Sequence, residues 1–288
     1  MVLKWDKNCQ AGSIVSYGQC CKERVLMTDF EKGLEMWDHP EIVSRLFFPR
    51  REFAEEPNPL NAKNHFVKVA DGIAIGCRFY PARNDAPSIL YFHGNGETVP
   101  DYDYVAPLYQ KRGLNLFVTD YRGYGMSDGS PTAGSMIRDT HPIFQAFIAL
   151  LHDMDYTGKL YVMGRSLGSA PAIEVAYHYQ QQLKGLIIES GFSSGQSQLI
   201  RLGATHLFKN VKNPIGFGND LKIKKITIPT LIIHGEEDEI IPMTEGRALY
   251  DLSGSHEKSS LFIPYAGHNN IMMLGLEAYM GAIERFAE

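Results

Sequence analysis

From His65 onward the chain runs through two hydrophobic rhythms. The first, "HFVKVADGIAIGCRFYP", alternates on both sides of Asp71-Gly72, which predicts a β-hairpin. The second is a series of short continuous apolar runs: "SILYF", "NLFVTD", "KLYVMG", "KGLIIES", "TLIIHG" and "SSLFIPY". Each is rich in β-branched and aromatic side chains and shows no polar alternation, as expected of strands buried on both faces. Helix-length stretches lie between the runs, including 133–152, 169–182 and 243–252. Strand and helix alternate, so an α/β fold is expected, with a mostly parallel central sheet, helices on both faces and a leading antiparallel hairpin.

Two regions depart from this rhythm. Residues 1–63 read as an N-terminal helical extension and linker. "TDFEKGLEMWDHPEIVSRLFF" is amphipathic in part, with Thr28 or Asp29 as a start cap. The following "PRREFAEEPNPLNAKN" carries three prolines among charged and Asn residues, the mark of an exposed connector. Residues 64–288 then form the main domain. Within it, 195–227 is too long for a simple crossover and holds about one helix and a Gly/Asn/Pro-rich tail. A small cap over the strand ends is expected there. Leu199, Leu202, Leu207, Phe208 and Phe217 have the spacing of core residues more than of a substrate lining.

Composition narrows the function classes. The 288 residues are 44 % apolar and 21 % charged, enough for a large core. The net charge is −5, and no basic stripe marks a nucleic-acid surface. "MVLKWDKNCQAGS" lacks the apolar run of a secretory signal, and "IFQAFIALL" is too short to span a bilayer. The four cysteines, Cys9, Cys20, Cys21 and Cys77, show no zinc-like spacing. Adjacent Cys20 and Cys21 bond to each other only with strain, so reduced thiols in a cytoplasmic protein are the expectation. The alternative for the pair is S-acylation and a membrane tether, though no polybasic or membrane-spanning neighbour supports it.

Open α/β sheets bind ligands at the carboxyl ends of their strands. "KLYVM" is followed there by Gly164-Arg165-Ser166-Leu167-Gly168. A sharp strand-to-helix reversal strains its apex residue and tolerates only small neighbours two positions away. Gly164 and Gly168 meet that need, and Ser166 then sits at a helix N-terminus, where negative charge is favoured. A serine nucleophile needs a base. Of ten histidines, His268 follows the last strand, beside Gly267. The base needs an orienting carboxylate, and "HGEEDEIIP" offers Glu236, Glu237, Asp238 and Glu239. Asp238 has the short, stiff side chain suited to the turn. The order Ser166, Asp238, His268 is Ser…acid…His.

The stretches "HGNGE", "DYRGYGMSDG", "GRSLGS", "HGEEDEIIP" and "AGHNN" together resemble the α/β-hydrolase superfamily, over roughly 64–288. The likeness is to single-domain serine hydrolases of the esterase, acyl-protein thioesterase and serine oligopeptidase type. It implies Ser166 as nucleophile, Asp238 as acid and His268 as base. It also implies an oxyanion hole from the backbone N–H groups of Leu167 and Asn95, in a loop shaped by His93 and Gly94. No metal or organic cofactor is implied. "HGNGET" lacks the phosphate-loop pattern, and His234 has no suitably spaced second histidine for a metal. Arg122 and Asp128 are expected to pair or to fix their loop. Arg165 is expected to point away from the pocket and to be hydrogen-bonded behind it.

The expected activity is cleavage of a small acyl substrate, an ester or a thioester, through an acyl-enzyme. A peptidase or amidase would use the same triad, although no charged residue stands out to anchor a substrate amine or carboxylate. A silent binding protein on this fold is the third reading, and the intact Ser166, Asp238 and His268 argue against it.

Overall fold

The computed structural model describes residues 30, 32–52, 61–209 and 215–288. The expected caps Thr28 and Asp29, and Cys9, Cys20 and Cys21 with their acylation, lie outside the described residues. Residues 32–37 are helical (α1), followed by α2 (Pro40–Leu46). The single amphipathic stretch read from the sequence is therefore broken. Proline keeps the preceding residue out of helical geometry, and His39 is extended at φ −59°, ψ 132°.

The sheet begins with the predicted hairpin, β1 (Lys63–Ala70) and β2 (Ile73–Tyr80), turned at Gly72 with φ +70°. Then come β3 (Ser88–Phe92), α3 (Ala106–Lys111), β4 (Asn115–Thr119) and α4 (Ala133–Asp153). They are followed by β5 (Leu160–Arg165), α5 (Ser169–Tyr179) and β6 (Gly185–Glu189). The chain ends with α6 (Gly195–Arg201), α7 (Asn219–Ile223), β7 (Thr230–Gly235), α8 (Met243–Leu252), β8 (Lys258–Ile263) and α9 (Ile271–Ala287).

The eight strands lie in the order β1-β2-β4-β3-β5-β6-β7-β8. β1 is antiparallel to β2 and β2 to β4, while β4 through β8 are parallel. The continuous apolar runs of β3 to β7 are explained by burial on both faces, whereas β8 lies at the sheet edge with Ser259 and Ser260 exposed, so the expectation is corrected for that run. Leu90 and Phe92 face one cluster, with Phe144, Phe147, Ile173 and Leu249 of the helices on that side. Ile89 and Tyr91, between them in sequence, face the other, with Tyr109, Tyr279 and Met280. No helix among the described residues is long and apolar enough to cross a membrane.

The 195–227 insertion packs as core more than as lining. Leu199, Phe208 and Phe217 are buried, with Leu202 and Leu207 packed against them. Phe217 meets Trp37 of α1 at 5.2 Å between ring centroids. Arg45 of α2 donates to the carbonyls of Leu202 at 2.7 Å and Gly203 at 3.2 Å. The N-terminal helices thus clasp the insertion.

Candidate active site

β5 turns into α5 through one short 3-10 turn, Ser166–Gly168. Ser166 takes the left-handed conformation at φ 53°, which is costly for a residue with a Cβ. The chain is held to that geometry by close backbone approach. A Cβ on Gly164 would lie 2.1 Å from the Gly168 carbonyl oxygen, and one on Gly168 would lie 2.1 Å from that of Phe92. Both positions therefore require glycine. The elbow is pressed against the end of β3, where the loop bearing Asn95 begins.

The His268 loop leaves β8, and the Asp238 loop leaves β7. His268 Nε2 lies 2.8 Å from Ser166 Oγ, and His268 Nδ1 lies 2.7 Å from Asp238 Oδ2. A carboxylate on Nδ1 fixes the proton there, so Nε2 is free to accept from the serine hydroxyl. Asp238 Oδ1 accepts the backbone N–H groups of Ile240 at 2.9 Å and Ile241 at 2.8 Å. His234 Nε2 stands 3.3 Å from Asp238 Oδ2 while donating to the Ile241 carbonyl at 2.8 Å. Burial alone would raise the Asp238 pKa. Hydrogen bonds from His234, His268 and Ile241 outweigh it and hold the carboxyl well below its usual range. Ser166, Asp238 and His268 are each under 9 % exposed, so the three form one buried hydrogen-bonded chain.

The chain is similar to α/β-hydrolase domain-containing protein 17B of Homo sapiens, 30 % identical over 224 residues, 76 % of this chain and 73 % of that protein. The chain belongs to the α/β-hydrolase family. A hydrolytic activity follows from that membership. Protein bem46 of Schizosaccharomyces pombe is 30 % identical over 189 residues, 64 % of this chain and 62 % of that one. A family model described as serine aminopeptidase, S33, matches residues 84–215. An esterase of Pyrococcus furiosus shares the fold at a TM-score of 0.64 and 18 % identity, covering 83 % of this hydrolase and 97 % of the esterase. Est1E of Butyrivibrio proteoclasticus, solved with ferulic acid bound, does so at 0.60 and 19 %, covering 77 % and 97 %.

Leu167 follows Ser166 at the start of the turn, where backbone N–H groups have no intrahelical acceptor. The Asn95 backbone N–H meets no acceptor among the described residues. Its side chain is more informative than the sequence implied. Asn95 Nδ2 donates to the Leu46 carbonyl at 2.8 Å, and Oδ1 accepts from Phe48 N–H at 3.0 Å and Tyr124 O–H at 2.6 Å. The segment after α2 is pinned to this loop.

Arg165 is hydrogen-bonded more widely than expected. Its Nη1 pairs with Glu97 Oε1, and its Nε with Glu189 Oε1 at 3.2 Å. Its Nη2 donates to the His268 carbonyl at 2.8 Å and to Asn269 Oδ1 at 3.0 Å. Glu97 Oε2 in turn accepts Gly94 N–H at 2.8 Å. One guanidinium therefore joins the elbow, the Asn95 loop, the end of β6 and the His268 loop. Burial disfavours its charge, but Glu97 and Glu189 outweigh burial and raise its pKa above the usual guanidinium value. Arg165 borders a cavity of about 250 Å³ together with His268, Tyr91, Tyr102 and Tyr279, so the expectation that it points away from the pocket is corrected.

The expected pairing of Arg122 with Asp128 is corrected. Arg122 makes a bidentate pair with Asp139 of α4, at 2.7 Å on both arms, and Asp128 accepts Ala74 N–H at 3.0 Å. Both fix the loop, but each does so through a partner that packing supplies from another element. Glu97 and Glu189 were not singled out from the sequence, and His234 was weighed there only as a metal ligand. Glu189 carried a usable signal: a carboxylate closing a fully buried strand in "LIIE" requires a partner.

Proposed function

We propose that this α/β-hydrolase is a serine hydrolase of carboxylic esters or thioesters that works through an acyl-enzyme. The observation carrying the reading is the unbroken path Ser166–His268–Asp238, with links of 2.8 and 2.7 Å. Ser166 Oγ bonds to the acyl carbon while its proton passes to His268 Nε2. The bond to the leaving group breaks, and Nε2 delivers the proton to the departing oxygen or sulfur. Water then gives a proton to Nε2 and attacks the acyl carbon. The Ser166 ester bond breaks, the acid leaves and Ser166 recovers its proton. Asp238 holds the imidazole tautomer and balances the imidazolium. The Leu167 and Asn95 N–H groups serve the oxyanion. Esterases among the proteins sharing this fold support the reading. Residues 195–227 serve as a small cap, braced by α1 and α2.

A peptidase reading has a specific observation of its own. A depression of about 400 Å³ beside His268 is lined by Asn269 and by Glu237 and Glu239, and the two carboxylates are of the kind that suit a substrate amine. The test is fluorophosphonate labelling, followed by turnover of p-nitrophenyl esters of graded length, acyl thioesters and aminoacyl anilides. Labelling lost in Ser166→Ala, with ester or thioester turnover dominant, is the expected result. Labelling unaffected by Ser166→Ala would sink the scheme, and anilide turnover exceeding ester turnover would favour the peptidase.

A further inference from the structure

On the face of the sheet carrying α4 and α5, away from Ser166, one carboxylate collects two imidazoles. Glu174 and His178 sit one helical turn apart on α5, on the same face, and His141 reaches them from α4. Glu174 is 5 % exposed. Its Oε1 lies 3.1 Å from His178 Nε2 and 3.5 Å from His141 Nε2. The three ligand atoms lie within 4.8 Å of one another.

We propose that His141, Glu174 and His178 form a site for a divalent transition metal such as Zn²⁺, clamping α4 to α5. Two imidazole nitrogens and one carboxylate oxygen are a donor set suited to this class of ion. A tetrahedral ion with bonds of ~2.1 Å separates its ligands by roughly 3.4 Å. The two nitrogen–oxygen separations already bracket that edge. Only the two imidazoles must adjust their spacing, and both side chains are about one third exposed, at 35 % and 31 %.

A ligating histidine is normally oriented through its other ring nitrogen. His141 Nδ1 lies 2.9 Å from the Tyr179 hydroxyl. A hydroxyl both donates and accepts. With the proton moved to Nδ1, it donates to Tyr179 and leaves the Nε2 lone pair facing the ion. A cavity of about 360 Å³, bordered by Phe30, Leu34, Glu35 and Tyr177, adjoins the three ligands and gives the ion a route in and an open coordination position.

Arg138 also borders this cavity, and Lys222 is the cation that competes for the carboxylate itself. Its ammonium stands 2.5 Å from Glu174 Oε2, donates to the Phe217 carbonyl at 2.6 Å and faces the Phe30 ring at 5.1 Å. It is thus held on the far carboxylate oxygen, leaving Oε1 to the imidazoles. Its repulsion weakens the site without blocking it.

The test uses the full chain with Cys9, Cys20 and Cys21 changed to serine, which leaves only the buried Cys77 thiol. Chelator-treated protein is titrated with ZnCl₂ by calorimetry and by thermal melting. Saturable binding of a single ion with a raised Tm is expected. His178→Ala and His141→Ala should each weaken it at least ~10-fold, and Tyr179→Phe should weaken it through the lost orientation of His141. Affinity unchanged in both histidine variants, or no rise in Tm, would overturn the proposal and leave an ion-pair network between two helices. Should either variant fail to fold, Co²⁺ added to the triple-serine parent decides. Strong four-coordinate absorption bands support the site, and their absence rejects it.

Discussion

Arg165 Nη2 donates to the main-chain carbonyl of His268 at 2.8 Å. The residue before the proposed nucleophile thereby holds the backbone of the proposed base. Its Nη1 reaches the Asn95 loop through Glu97. Lysine keeps the charge but loses the planar fork. Arg165→Lys should therefore lower kcat by ~10–100-fold, the scale of a misplaced catalytic group, with little change in KM. Arg165→Ala should also destabilise the fold by ~3–5 kcal/mol, since two largely buried carboxylates lose their counter-charge. Steady-state kinetics and thermal melts separate the two effects; an Arg165→Ala protein of normal stability with only an altered substrate range would refute this role.

Ser166→Ala should lower kcat by at least ~10³-fold and keep the fold. Ser166→Gly should be equally inactive yet more stable than Ser166→Ala by ~1 kcal/mol, because φ 53° strains any residue with a Cβ. Denaturant titration of the two inactive variants measures the strain held at the elbow. Equal midpoints would mean that the backbone relaxes.

Asp238→Asn should lower kcat by ~10³–10⁴-fold through the wrong imidazole tautomer. The same change should alter acid stability. The folded Asp238 pKa lies below its ordinary value of 3.8. Its ionised form therefore adds stability above about pH 4, and that stability is lost as pH falls through the folded value. Unfolding followed from pH 7 to pH 2 should show a shallower acid loss in Asp238→Asn than in the parent.

Asn95→Ala removes three hydrogen bonds, to the Leu46 carbonyl at the end of α2, to the Phe48 N–H just after it and to the Tyr124 hydroxyl of the loop after β4. At ~1 kcal/mol each, the loss should be ~2–3 kcal/mol. The loop that carries the Asn95 N–H should loosen as well, so kcat should fall with stability. A variant with full activity and full stability would show that the pin is redundant.

Much of this was legible because strands buried on both faces announce themselves as unbroken apolar runs. "SILYF" is β3, and 243–252 is α8 at the predicted bounds. The elbow was legible because two glycines mark a backbone contact no other residue allows. What stayed hidden was partner choice. His234 lies at the end of β7 and His268 just beyond β8, and only packing shows that His268 reaches Ser166 while His234 backs Asp238. Arg122 took Asp139 over Asp128 for the same reason: the distance between α4 and a loop is a property of the packed domain, not of local spacing.

Ser166 and His268 stand 102 positions apart, and their strands are separated in the sheet by β6 and β7. A chain being synthesised therefore carries its serine long before its histidine. Until β8 joins the edge of the sheet, the hydroxyl lacks the histidine that the proposed mechanism gives it as proton acceptor, and on that mechanism the half-made protein cannot attack acyl groups around it. On the proposed mechanism, activity is a report on completed assembly: a preparation that hydrolyses substrate has closed its last strand.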